Sequence, residues 1–219
     1  MDLFSWDGTL SYKEFAVAAA PTFVHKWERL NSSSPSWIWM EGYLSLDNFC
    51  LLPSSHQESL FDANLIQKEV NEEETIDDDD ATLVHSNKSY DGAHYYDFHI
   101  VYSASYRVPA LYFRGYCCDG RPLMLNEIEK DLPSCSAKVL LESKWSFITL
   151  EEHPYMNRPW YKLHPCGTSE WMKLLFLSDA VMAKNGLAID QYLVSWFSVV
   201  GQVVGLRTPI KMVKSIHDN

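Results

Sequence analysis

Apolar residues near the start of the chain return at the helical period. Tyr12, Phe15, Ala19, Phe23, Trp27 and Leu30 recur at steps of three and four, which sets them on one stripe of a helix. Ser11-Tyr12-Lys13-Glu14 has the Ser-x-x-Glu form of a capping box, so the helix is expected to start there. Pro21 falls inside the stripe. It lacks an N–H and its ring crowds the carbonyl one turn back, so the helix either kinks or restarts at that point. Asn31 to Ser36 reads as a turn, and Trp37 to Leu46, rich in aromatics, as one strand.

From His94 to Ser103 the period changes to two. Tyr96, Phe98, Ile100 and Tyr102 alternate with Tyr95, Asp97, His99 and Val101, which predicts a strand with two distinct faces. Ala110 to Tyr116 is the next strand, Asp119-Gly120-Arg121-Pro122 a turn and Leu125 to Leu132 a short helix. A strand or extended arm around Trp145 to Leu150 precedes a short aromatic strand, Trp160 to Leu163. Helical spacing then returns at Trp171, Leu174 and Leu175, breaks at Asn185-Gly186, and resumes at Ile189, Tyr192, Leu193, Trp196, Val199, Val200 and Val203 before Gly205 and Pro209. This last stripe is core packing. A helix, then antiparallel strands, then helices predicts an α+β domain with a meander sheet.

Length makes this one domain, residues 1–219, since 219 residues suffice for one well-buried core. Between about residues 53 and 92 the sequence turns polar and acidic with no sustained period, the pattern of a flexible insertion. Much of the net charge of −11 sits there, in Glu72 to Glu74 and Asp77 to Asp80. Without clustered Lys and Arg the chain offers no nucleic-acid surface. The apolar stretch from Tyr192 to Leu206 is interrupted by Ser195, Ser198 and Gln202, so no stable membrane insertion is expected. Five cysteines follow no framework spacing and no signal-peptide pattern opens the chain, which points to a reducing, cytoplasmic setting. Cys117 and Cys118 are adjacent and lack a completing pair, so neither a metal nor another cofactor is expected.

The chemistry gathers at Leu163-His164-Pro165-Cys166. Cys166 follows a strand and a proline and precedes Gly167-Thr168-Ser169-Glu170, a loop entering a helix for which Thr168 is a candidate N-cap. A thiol there is held out at a strand end, and the helix start favours negative charge beside it, whether a thiolate or a developing oxyanion. His164 as a general base would make the site a cysteine hydrolase. Against that, residues adjacent on an extended chain point to opposite sides, and no Gly-rich segment precedes the cysteine to form an oxyanion hole.

Five segments in order carry a resemblance. They are Tyr102-Ser103-Ala104-Ser105-Tyr106-Arg107-Val108-Pro109-Ala110-Leu111-Tyr112-Phe113-Arg114, Asp119-Gly120-Arg121-Pro122-Leu123, Glu152-His153-Pro154, Leu163-His164-Pro165-Cys166 and Ser195-Trp196-Phe197-Ser198-Val199-Val200-Gly201. Over roughly residues 94–209 the chain resembles the autophagy ubiquitin-conjugating-like (E2-like) enzymes, in particular the branch that hands autophagy-related protein twelve to autophagy-related protein five. A sister branch, the autophagy-related protein three type, is similar in Glu-His-Pro and His-Pro-Cys and delivers a modifier to phosphatidylethanolamine. An inactive binding module of the same fold is a further alternative.

The resemblance implies a ubiquitin-conjugating-enzyme-like fold and a thioester on Cys166, received from the E1-like autophagy-related protein seven and discharged to a lysine. Ordinary ubiquitin-conjugating enzymes carry a His-Pro-Asn whose Asn supports the second step. Here His153-Pro154 is followed by Tyr155, and His164-Pro165 abuts Cys166. Thr149 and Asn157 are the polar substitutes, and His164 is part of the motif with a structural role. Tyr102, Tyr106 and Arg107 fall in the segment that resembles the family's target-contacting region, where aromatics and Arg suit an interface as well as a core.

Overall fold

The computed structural model describes residues 6–30, 35–51, 93–142, 148–178 and 189–214; the acidic segment and the Asn185-Gly186 break lie outside them. Six strands form a single antiparallel sheet: β1 (Ile38–Trp39), β2 (Tyr43–Leu51), β3 (His94–Ser103), β4 (Val108–Cys117), β5 (Ile148–Glu152) and β6 (Pro159–Leu163). Their order is β1-β2-β3-β4-β6-β5, a meander of four strands extended by a β5–β6 hairpin whose second strand lies beside β4. This is the expected α+β architecture, with a helix before the sheet and helices after it.

Ser11 starts the first helix as expected. Its backbone N–H donates to Glu14 Oε2 at 2.6 Å and its hydroxyl accepts from the Glu14 N–H at 3.2 Å. Tyr12–Glu14, a π-helical turn Phe15–Ala19 and Ala20–Leu30 then run on as α1. The helix does not restart at Pro21 but runs on through it to Leu30. The wider π turn just before it supplies the slack that the missing N–H and the crowded carbonyl demand.

The strand expected over Trp37 to Leu46 is two strands. Gly42 has φ of 113°, a conformation that favours glycine, and it turns β1 back onto β2. The hairpin helix α2 (Leu125–Asp131) is found where predicted, followed by α3 (Ser134–Glu142), which the weak period of Ser134 to Glu142 did not announce. Beyond Cys166 lie α4 (Thr168–Ser178), a 3₁₀ turn Ile189–Gln191, α5 (Tyr192–Val203) and α6 (Ile210–Lys214).

Alternation in the strands divides the core. Leu46, Phe98 and Phe113 stand opposite one another across β2, β3 and β4, and α1 and α5 cover that face. Phe23 of α1 meets Phe197 of α5 at 5.2 Å between ring centroids, and Trp37 meets the same Phe197 at 5.5 Å. On the opposite face Ser45, His99, Tyr112, Lys162 and Thr149 form one row across five strands. Around it Tyr43, Val101, Ala110, Tyr112 and Trp160 make a second buried cluster. No helix covers this cluster among the described residues. The β5–β6 turn folds over it, with Tyr155 5.1 Å from Tyr43.

His99 and His153 are buried in that second cluster and bonded to each other, Nδ1 to Nε2, at 3.0 Å. The Tyr155 N–H donates to His153 Nδ1 at 3.2 Å, so the His153 proton sits on Nε2 and is donated to His99. The His99 proton then points from Nε2 toward Asp47 Oδ1, 3.5 Å away. Asp47 is held below its ordinary range by that imidazole first and by Ser45 second. The direction of the chain thus requires two neutral rings.

Burial first, then the neighbouring His99 and Arg158, push the His153 pKa down from 6.5 to about 4. A folded-state pKa below the unfolded value means stability fully present above pH 6.5 and lost as pH falls through 4. Denaturant unfolding as a function of pH is therefore expected to show a loss on the order of 3 kcal/mol over that interval. His153→Gln should flatten this acid limb; an unchanged slope would show that other groups set it.

Candidate active site

β6 ends at Leu163, and the chain turns before α4 begins. The turn is closed by the Thr168 N–H donating to the Pro165 carbonyl at 3.2 Å. Gly167, third in it, has φ of 74°, and a Cβ there would meet nothing within 4 Å. The backbone conformation alone therefore calls for glycine. The helix starts one residue earlier than expected: Thr168 is its first residue, and Gly167, whose carbonyl accepts from the Trp171 N–H at 3.1 Å, occupies the capping position. Cys166 stands second in the turn, exposed, just ahead of a helix N-terminus. All five cysteines are free thiols.

His164 is turned toward the backbone of Cys166. Its Nδ1 accepts the Cys166 N–H at 3.3 Å, so the neutral ring carries its proton on Nε2. That nitrogen lies 3.4 Å from the hydroxyl of Tyr106, and the two rings meet edge to face with centroids 5.6 Å apart. Tyr106 comes from the β3–β4 turn and is 41% exposed. An imidazole and a phenol thus stand together at the turn that carries the thiol, a pair with N–H and O–H groups to donate. A hydrolytic base would instead need its acceptor nitrogen on the thiol.

The other candidates are elsewhere. Asn157 lies in the β5–β6 turn with φ of 49°, at the opposite end of β6 from Cys166, so the structure does not bring it to the thiol. Thr149 sits on β5 in the second-face row, where its hydroxyl donates to Glu151 Oε1 at 2.7 Å while Lys162 Nζ donates to Glu151 Oε2 at 2.8 Å. Burial pushes the Glu151 carboxyl up, but those bonds outweigh it and hold it below the ordinary range. Lys162 is likewise pushed down by burial and raised further by Glu151. Thr149 thus joins the Glu151–Lys162 ion pair on the second face.

Tyr102 is half-buried against α1, its ring 5.7 Å from Tyr12 and its hydroxyl donating to the Leu10 carbonyl at 2.9 Å. Arg107 is exposed and pairs with Asp7 at 3.3 Å. Of the three residues expected to meet a target, only Tyr106 faces the Cys166 turn. Its place beside His164 was not legible in the sequence. The available signal was topological: Tyr106 sits at a hairpin tip, and β6 lies next to that hairpin.

Among the described residues no group of three His, Cys, Asp or Glu side chains converges as a metal ion would require, and no helix is long and apolar enough to cross a membrane.

The family model described as "Autophagocytosis associated protein, active-site domain" matches residues 14–211. A relative from Arabidopsis thaliana named ubiquitin-like-conjugating enzyme ATG10 is 51% identical, over 94% of this chain and 96% of that one. A human protein of the same name is 42% identical over 55% of this chain and 53% of its own. Autophagy-related protein 3 of Pichia angusta is 32% identical over 50% of this chain and 31% of its own. Identity and coverage both fall from the first kind of relative to the second. The chain belongs to the autophagocytosis-associated protein family, whose active-site domain it carries, and it is an E2-like conjugating enzyme.

Proposed function

We propose that the protein accepts autophagy-related protein twelve from autophagy-related protein seven as a thioester on Cys166 and passes it to a lysine of autophagy-related protein five. The observation that carries this reading is the open thiol of Cys166 between a strand end and a helix start, in a turn whose backbone is bonded to His164, the partner of the exposed Tyr106. Five free thiols support a reducing setting, and we place the protein in the cytoplasm.

In the first step the Cys166 thiolate attacks the thioester carbonyl on the activating enzyme. A new carbon–sulfur bond forms and the activating enzyme's thiolate leaves, so one thioester replaces another. An exposed turn suits this exchange, because both carriers must reach the same carbonyl. In the second step a lysine amine attacks the Cys166 thioester, a carbon–nitrogen bond forms, the Cys166 thiolate leaves and the nitrogen loses a proton. We assign to the Tyr106 hydroxyl, beside the Nε2–H of His164, the donation to the oxyanion that Asn supplies in the ordinary enzymes, while the proton from the nitrogen passes to solvent.

The alternative acceptor, phosphatidylethanolamine, calls for a membrane-seeking basic stripe. Along α1 the cations Lys13, Lys26 and Arg29 are interleaved with Glu14 and Glu28, so the helix does not supply one.

Incubation with the activating enzyme, ATP and modifier is expected to give an adduct cleaved by thiols. Cys166→Ala should abolish it, and Cys166→Ser should convert it to an oxyester that resists reduction, since a serine ester is the less reactive acyl carrier. A reducible adduct persisting in Cys166→Ala would remove Cys166 from the chemistry.

Tyr106→Phe is expected to leave charging intact and to slow transfer to purified autophagy-related protein five by roughly a hundredfold, the usual worth of one oxyanion donor. Single-turnover discharge measures this directly. Equal loss of both steps would place Tyr106 in binding of the activating enzyme, and discharge only to phosphatidylethanolamine in liposomes would assign the chain to the sister branch.

A further inference from the structure

We propose that the segment Trp6 to Leu10 is a strap that sets the β3–β4 turn against the Cys166 turn and so acts on the transfer step through Tyr106. The proposal rests on Cys166 as the thioester carrier.

The sheet by itself leaves this alignment open. β4 and β6 are paired at Tyr112 with Lys162 and at Phe113 with Tyr161. Tyr106 and His164 both lie past the end of that ladder, on a hairpin tip and on a loop. Their 3.4 Å approach needs something that holds both.

One end of the strap is fixed to the helices behind Cys166. Trp6 is 2% exposed, its ring 5.3 Å from Phe176 of α4 and 6.0 Å from Tyr192 of α5. The Tyr192 hydroxyl donates to the Gly8 carbonyl at 2.9 Å. Gly8 has φ of 83°, and a Cβ there would lie 1.8 Å from the carbonyl oxygen of Ser169 in the first turn of α4. Only glycine allows the strap to lie this close to the helix that Cys166 precedes.

The other end is fixed to the β3–β4 turn. The Leu10 N–H donates to the Arg107 carbonyl at 2.9 Å, and the Leu10 carbonyl accepts the Tyr102 hydroxyl at 2.9 Å. Arg107 Nη1 donates to Asp7 Oδ2 at 3.3 Å. Arg107 itself has φ of 55°, a left-handed backbone unusual for a side chain of its size. Bonds from its carbonyl and guanidinium to the strap hold that conformation, and Tyr106 is the residue before it. Between the two ends the strap is braced internally: the Asp7 carboxylate accepts from the Thr9 N–H at 3.0 Å and from the Thr9 hydroxyl at 2.6 Å, and Trp6 Nε1 donates to the Thr9 carbonyl at 2.7 Å. It therefore acts as a rigid spacer between α4 and the hairpin tip. Asp7, Gly8, Tyr102 and Arg107 are positioning residues in this scheme, and none need touch the reacting atoms.

The test uses Gly8→Ala and the milder Tyr192→Phe in the full chain. Charging of Cys166 should be unchanged, while single-turnover transfer to lysine should fall roughly tenfold to a hundredfold for Gly8→Ala and less for Tyr192→Phe, as expected for misplacement on the scale of an ångström. Discharge to hydroxylamine, whose attack forms the same oxyanion, should slow by a similar factor. In a Tyr106→Phe background Gly8→Ala should add nothing, because both act on one contact. A further full loss in that background, or loss of charging in parallel with transfer, would make the strap merely structural and overturn the proposal. NMR cross-peaks between the Tyr106 and His164 rings give a readout independent of activity. Their loss in Gly8→Ala is expected, and their persistence would overturn the proposal even if the wild-type protein failed to charge, a failure that would count against the carrier assignment alone.

Discussion

The position of β6 beside β4 is the constraint on which the rest depends, because it decides where Cys166 stands. The ladder that holds it is short, with Tyr112 opposite Lys162 and Phe113 opposite Tyr161. A slip of one residue would turn Lys162 into the helix-covered core and bring Tyr161 out. Backbone bonds between so few residues resist this weakly, and polar contacts on the second face supply the specificity. Lys162 reaches Glu151 at 2.8 Å and lies over the Tyr112 ring at 5.5 Å. His153, at the end of β5, is locked to His99 of β3. Both contacts exist in one register only.

Such specificity carries an energetic cost. Buried imidazoles and a nearly buried ammonium stabilise little by themselves, since desolvation takes back much of what pairing gives. Their value here is discrimination between registers. The same reasoning explains why the second face is polar although it is covered: an apolar row in place of Ser45, His99, Lys162 and Thr149 would tolerate several alignments of the β5–β6 hairpin, and the thiol would lose its defined place.

Much of this fold was legible because it rests on periodicity. The stripe from Tyr12 to Leu30, the alternation in β3 and the stripe from Ile189 to Val203 each report which side of an element is buried: Phe15, Phe23, Trp27, Phe98, Leu193 and Trp196 are in the core, while Tyr12, Leu30 and Val199 at the stripes' margins are exposed. Where the reading failed, the deciding term was nonlocal or conformational. Gly42 splits the Trp37 to Leu46 run because of a backbone angle set by its hairpin and by the Tyr155 ring, which a Cβ there would strike. Thr168 yields the cap to Gly167 because closing the Pro165 turn requires positive φ at that position. Asn157 and Thr149, the polar substitutes the sequence offers, lie apart in space: the β5–β6 hairpin carries Asn157 to the far end of β6, and Thr149 bonds Glu151 on the second face.

The site shows the same division. Cys166 announces itself through local chemistry: proline before it, glycine after it, strand on one side and helix on the other. Its partner Tyr106 does not, because the two are joined only by packing of a hairpin tip against a loop. Residues that act on a nucleophile from another element are invisible to any reading confined to the neighbourhood of that nucleophile. In this chain the ordinary Asn is missing from just that neighbourhood, so any replacement for it at the turn has to come from another element. The β3–β4 turn is the element that topology brings there, since β4 is the strand on which β6 is built. The tip carries a phenol, Tyr106, set against His164, so the sheet places a polar group at this turn that its local sequence lacks.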